Sequence, residues 1–296
     1  MAYQKVFKRY ELKYMMTRDQ KERILAAMKP YMVMDKFGQS TIRNIYFDTD
    51  DYILARHSIA KPDFKEKLRV RSYSKVEDDA KVFVELKRKY DHVVYKRRVA
   101  LPESAAMNWT TVRSRLNDGS VPSRQLKDEI DYFLSYYKNL RPALFLSYDR
   151  EAYRMIDESS EFRVNFDENI LCRDYDMSLT SEAYGTRILE EGKVLMELKC
   201  PGGIPMWMAK VLSEEKIYKT SFSKYGTAYT NLILPALMAE KAALAKLNAK
   251  QEASVSQNSY RQPAAVKAPR RREQHRKSYG WKGFTQMTQI FSGNRI

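Results

Sequence analysis

The chain has 296 residues, 44% of them hydrophobic with 21 Tyr and 12 Phe, and a formal net charge of +16 at neutral pH. That apolar content supports a packed core and excludes a wholly disordered chain, while no apolar run reaches the roughly 18 residues needed to cross a bilayer. The positive balance predicts an anionic partner, whether nucleic acid, a membrane surface or a phosphorylated small molecule.

Residues 4–14 (QKVFKRYELKY) read as a first strand, after which Thr17 caps a helix running to about Met28 and ending near Pro30. TIRNIYFDT (41–49) is a second strand. Three strand-like runs follow at 65–74, 81–89 and 93–101, the last two joined by a short turn at Tyr90-Asp91-His92. Residues 103–117 and 124–138 read as helices that clad the sheet, and strands resume at 143–155, 160–168 and 193–200. PMWMAKVLSEE (205–215) is a short helix. A longer one runs from Ser223 to about Asn248, with Pro235 kinking it. Beyond residue 250 the sequence turns polar and aperiodic, with nine Lys/Arg against two acids over 251–296. The expectation is an ordered domain over 1–248 and a basic, disordered tail over 249–296. The fold class is α+β, with at least seven antiparallel strands and inserted helices.

The strands share an unusual pattern. FKEKLRVRSYS (64–74) places Lys65, Lys67, Arg69 and Arg71 at every second position, on one strand face. Same-face neighbours lie about 6.6 Å apart, so at an effective dielectric near 20 each adjacent pair repels by roughly 2.5 kcal/mol. The same alternation recurs in Arg9/Glu11/Lys13, Glu85/Lys87/Lys89, Lys96/Arg98, Tyr148/Arg150/Arg154, Arg163/Asn165/Asp167 and Glu197/Lys199, each opposite an apolar face. If such a sheet closes into a barrel, its charged faces line a cationic lumen. A polyanion would offset the repulsion, with Arg forks gripping phosphate oxygens and Lys acting as a movable point charge. The recurring Glu of Glu-x-Lys cannot bind phosphate directly and suits a hard cation, Mg²⁺ or Mn²⁺. No GxxxxGK[ST] or GxGxxG loop is present. His57, His92 and His275 are scattered, and Cys172 and Cys200 read as packing residues of a chain in a reducing compartment.

In order along the chain, FKRYELKY, IYFDT, EKLRVRSY, VFVELKRK, YKRR, SYDREAYR, FRVNFD, MELK and FSKYG resemble the VTC domain. That is the catalytic domain of polyphosphate polymerases, within the triphosphate tunnel metalloenzyme (CYTH-like) superfamily. The resemblance covers roughly residues 4–245 and is closest to a stand-alone bacterial member. It implies a closed antiparallel β-barrel forming a basic tunnel with helices outside. The implied activity is a divalent-metal-dependent transfer of the ATP γ-phosphate onto polyphosphate. By motif, Lys13, Arg69, Arg71, Lys87, Lys96, Arg150 and Arg163 contact phosphates, Tyr148 donates a hydrogen bond to one, and Glu197 ligates the metal. Glu11 and Glu85 are further metal candidates, and Lys199, on the face of Glu197, is a further phosphate contact. Ser223 and Lys224 bind near the nucleotide end, while Arg56, Lys65 and Lys67 are additional phosphate contacts.

Two departures stand out. The superfamily's opening Glu-x-Glu-x-Lys is here Arg9-Tyr10-Glu11-Leu12-Lys13. Ser221 stands where the eukaryotic branch has a basic residue, with Lys219 as a shifted substitute. ATP and polyphosphate are the implied partners, a membrane-protein partner is compatible with the family, and no specific nucleic acid is expected. MAYQKVFKRYELKY lacks the apolar block of a secretory signal, so a cytoplasmic or inner-face peripheral protein is expected. A tunnel hydrolase and a non-catalytic polyanion or nucleic-acid binder stay open as alternatives.

Overall fold

The computed structural model describes residues 10–259 except 78, 91, 92, 114, 115, 117–120 and 122. Arg9, the centre of the 90–92 turn and the basic segment from residue 260 onward lie outside the described residues. The chain divides into two units, residues 1–243 and 244–296, and the sheet and the concavity described below belong to the first.

The strands are β1 (Tyr10–Thr17), β2 (Met32–Asp48), β3 (Phe64–Ser72), β4 (Lys81–Tyr90), β5 (Val93–Pro102), β6 (Arg141–Met155), β7 (Arg163–Arg173), β8 (Thr186–Arg187), β9 (Lys193–Cys200) and β10 (Lys219–Thr220). They form one antiparallel sheet in the order β10–β1–β9–β7–β6–β2–β3–β4–β5, with β8 on β7. The fold class is therefore α+β as expected. The closed barrel is not: β5 and β10 end the sheet without pairing to each other. Contact across the concavity is made by side chains instead, with Lys87 of β4 donating to Glu11 of β1 at 3.0 Å. β10, only two residues long, leaves little ladder with which to complete the ring.

Four helices clad the convex face. α1 (Arg18–Met28) begins in a capping box, in which Thr17 and Gln20 exchange backbone-to-side-chain hydrogen bonds. With α5 (Met206–Glu214) it covers Tyr14, Val164, Phe166, Val194 and Met196. α3 (Glu103–Thr111) and α4 (Arg124–Tyr136) cover Leu68, Val70, Val82, Val84, Leu86 and Val99. Each such fully buried side chain contributes about 1.5–3 kcal/mol of transfer free energy. These are the faces opposite the charged ones, as the alternation requires. Cys172 and Cys200 are both buried, and burial pushes the Cys172 thiol up to about 12.

Part of the concave face is apolar and filled by the chain itself. α2 (Ile53–Ala60) and α6 (Lys224–Ala228) bring Ala55, Tyr225 and Ala228 against Ile42, Tyr46, Leu144, Leu146 and Tyr148. Asp48 ties this plug together. Its carboxylate accepts from the Leu54 and Ala55 amides at the start of α2, each at 2.9 Å, and from the Tyr225 hydroxyl. After α6 a π turn (Tyr229–Ile233) leads into α7 (Leu234–Ser259). Pro235 lacks the N–H that an uninterrupted ladder would use. α7 continues through residues 249–259, where the sequence pattern predicts an aperiodic tail. Among the described residues no helix is long and apolar enough to cross a membrane.

Candidate active site

The ladder registers line up the charged positions across strands. Lys13 lies opposite Glu197, and Glu11 opposite Lys199. Arg150 pairs with Asp167, and Asn165 with Glu197. On the other wall Arg69–Glu85–Arg98 form one row and Lys67–Lys87–Lys96 the next. Directly opposite residues share a face, so both walls present their ions to the same concavity.

Four carboxylates organise it. Asp167, with no exposed surface, takes two 2.6 Å bonds from the Arg150 guanidinium and one from Lys224 Nζ. Glu197 binds the same two cations, at 3.1 Å from Arg150 and 3.0 Å from Lys224, with Lys13 Nζ at 3.5 Å. Burial pushes the Glu197 carboxyl up, but Lys224, Lys13 and Arg150 outweigh it and hold the group well below its ordinary value. Glu11 lies between the walls, 3.6 Å from Lys13 and 3.0 Å from Lys87, and Lys87 foremost keeps it ionised. Glu85 on the far wall is caged by Arg69 at 2.7 Å, Lys96 at 2.7 Å, Arg98 at 3.0 Å and Arg71 at 3.8 Å. Burial raises it, and the surrounding guanidinium groups more than reverse that.

The cations outnumber these acids, and some donate to neutral groups. Arg71 donates to Asn44 at 2.8 Å and to the Tyr148 hydroxyl at 3.0 Å. Lys67 donates to Ser223 at 3.2 Å. Burial, then Lys13, Lys87, Arg69 and Lys65, lower its pKa well below the usual lysine value. Lys65 is lowered by burial and by Lys89, its cross-strand neighbour. Burial, partly offset by Glu85, leaves Lys96 at about 8, and burial followed by Arg150 brings Lys199 to about 8. The Arg150 and Lys224 cations lie over the Tyr148 ring, 5.1 and 4.6 Å from its centroid.

The structure thus brings together Glu11, Lys13, Lys67, Arg69, Arg71, Glu85, Lys87, Lys96, Tyr148, Arg150, Glu197, Lys199, Ser223 and Lys224. Lys65 shares the face of Lys67 one step toward the β3 start, and Arg163 is exposed at the first residue of β7, opposite Lys199. Two expected phosphate contacts sit elsewhere. Arg56 is exposed on α2 and bonds Asp51 at 3.1 Å, and Lys219 lies opposite Tyr14, a residue of the convex core. Asp167 is the functional group that sequence reasoning left without a role. Its place beside Arg163 and Asn165 in the alternating run was the available signal.

Among the described residues no group of three or more acidic, His or Cys side chains is arranged to hold a metal. Glu85 stands apart from Glu11 and Glu197, which meet through the Lys13 ammonium. Two carboxylates beside a cationic surface suit a hard divalent cation whose remaining ligands would come from outside the protein. The donor set fits a cation shared with substrate and not an all-protein cage.

Comparison with known proteins agrees with this geometry at the level of family. No curated protein matches the chain. Solved structures similar to it include a candidate adenylate cyclase from Bacillus halodurans (16% identity, 72% of this chain and 92% of the other, TM-score 0.43). Another is a candidate adenylate cyclase from Vibrio parahaemolyticus (10% identity, 73% and 94%, TM-score 0.37). The VTC domain model matches residues 8–233, which hold every residue placed in the concavity above, and the chain belongs to the VTC domain family.

Proposed function

We propose that the protein is a metal-dependent polyphosphate polymerase that moves the γ-phosphate of ATP onto a growing phosphate chain. The carrying observation is the two-walled concavity, with the Arg69 and Lys67 rows on one side and Lys13, Arg150 and Lys224 on the other. Such a surface suits a linear polyanion better than a single phosphate. An ionised terminal oxygen of the chain attacks the γ-phosphorus in line, the bond to the β-phosphate oxygen breaks, and ADP leaves. The nucleophile is already deprotonated and needs no general base, so catalysis is positioning and charge neutralisation. Arg69, Arg71 and Arg150 are held by Glu85, Asn44 and Asp167, so their donors are oriented before substrate arrives. Glu11 and Glu197 would hold a divalent cation, which when bound would supply positive charge against the charge that develops on the transferred phosphoryl group. A reaction that consumes ATP suits a cytoplasmic site.

Glu11 also supports a second reading. Its side chain is 26% exposed in the concavity and is placed to orient a water, which would make the protein a triphosphate hydrolase. Incubating the full chain with ATP and Mn²⁺ beside a Glu197→Ala variant separates the two. Polymerisation gives a ladder of polyphosphate on a gel, reduced at least about 100-fold in the variant. Orthophosphate without chains, still dependent on Glu197, transfers the site to the hydrolase reading.

A further inference from the structure

Beyond its ions, the concave face ends in an aromatic shelf. Between the Met34–Tyr153 and Gln39–Glu151 pairs, β2 advances five residues while β6 advances two. The excess forms a turn in which the Asp35 carboxylate accepts from the amides of Phe37 (2.8 Å) and Gly38 (3.2 Å). Gly38 takes the left-handed conformation, φ +58°, which costs a residue without Cβ nothing. A bulge of this kind re-aims a side chain, and here it holds Phe37 outward, 64% exposed.

Phe37 is backed by structure. Its ring stacks on Tyr73 with centroids 6.2 Å apart and planes 20° from parallel, and Tyr73 meets Phe83 edge-on at 5.6 Å. Arg98 locks the pair: its guanidinium covers the Phe83 ring at 3.6 Å and donates to the Tyr73 hydroxyl. Phe83 lies opposite Arg71 in the β3–β4 ladder, so the shelf is on the ion-bearing face. The Lys67–Lys87 row is two same-face steps beyond Phe83, roughly 13 Å, and Phe37 lies further out behind Tyr73, so the cations within reach of a ribose and a triphosphate are Arg98 and Arg71 beside Phe83. The exposed Lys36 ammonium, 5.2 Å from the Phe37 centroid, is a flexible group that an incoming ring displaces.

We infer that Phe37, supported by Tyr73 and Phe83, is the stacking platform for the base of a nucleoside triphosphate whose phosphates run toward Arg98 and Arg71. The inference rests on the phosphate-binding reading of the concavity and adds the base subsite to it. Stacking on an exposed aromatic face accepts any base and supplies affinity that inorganic phosphate chains lack.

The test compares two probes on the full chain, ATP and inorganic tripolyphosphate, each with Mg²⁺ and each titrated by calorimetry. Phe37→Ala is expected to weaken ATP binding at least about fivefold while tripolyphosphate changes less than twofold. Phe37→Trp is expected to restore ATP affinity and to give an indole fluorescence quenched by ATP but not by tripolyphosphate. Equal changes for both probes, or none for ATP, would overturn the platform while leaving the phosphate surface standing. Failure of the unaltered chain to bind tripolyphosphate would overturn the phosphate-binding reading, and the platform with it.

Discussion

Asp167 holds Arg150 through two bonds and Lys224 through a third, with no solvent to share the load. Burial alone would lower the Lys224 ammonium, yet Asp167 and Glu197 outweigh it and raise it. Ions of this kind are costly to bury and more costly to leave unpaired. Asp167→Asn keeps the shape but removes the charge, so Glu197 alone would face two buried cations. The expected loss is about 3–5 kcal/mol of stability, read from urea unfolding with unchanged slope. A loss below about 1 kcal/mol would show that water enters the cluster and that Asp167 is no structural pivot. Glu197→Gln is the informative partner. Its carboxylate is needed for the proposed chemistry, while Asp167 still pairs both cations, so its activity loss should far exceed its stability loss.

At the scale of elements, the Lys67–Lys87–Lys96 row crosses β3, β4 and β5 with like charges directly opposite, an arrangement that destabilises a sheet. Lys87 is relieved by Glu11 and Lys96 by Glu85, whereas Lys67 has the Ser223 hydroxyl. Lys67→Met should therefore raise the melting temperature of the ligand-free chain by about 2–4 °C and weaken tripolyphosphate binding. The pH dependence has a definite sign. A lysine lowered in the folded state binds fewer protons there than in the unfolded chain, between its folded value and 10.5. Stability accordingly rises with pH across that window, and the variant should flatten the rise. A lower melting temperature for Lys67→Met would mean that the row is held together by its packing and is not strained by charge. This row was legible from period two alone, because each of these strands keeps one face for ions and the other for the helices. The plug was not. Tyr52, the N-cap of α2, offers no capping side chain, and the helix takes its cap from Asp48. That Asp48 also holds Tyr225, 177 residues away, is a contact no local pattern encodes. Closure was illegible for a related reason: it depends on whether β10 is long enough to reach β5, and local pattern carries no strand order.

At the scale of the molecule, positive charge is gathered in the concavity and again in the sequence beyond residue 250. The concavity belongs to the first compact unit, with every ion named there between residues 10 and 225. The nine Lys/Arg beyond residue 250 all fall within residues 260–296. Guanidinium groups oriented by Glu85 and Asp167 would select for a fixed oxyanion geometry, whereas a basic segment binds any polyanion by releasing counterions. A chain ending at Ser259 should bind tripolyphosphate within about twofold of the full chain, and duplex DNA far less. On duplex DNA, each phosphate that the protein neutralises adds about 0.9 to the steepness of log affinity against log salt. If four or five tail cations engage, the full chain's slope should exceed that of the shortened chain by roughly 4. Fluorescence anisotropy with a labelled duplex across a salt series reads both quantities. If the shortened chain keeps the full slope and tripolyphosphate competes with the duplex, then the concavity itself binds nucleic acid. The phosphates gripped by Arg69, Arg71 and Arg150 would then belong to a backbone and not to a chain being lengthened.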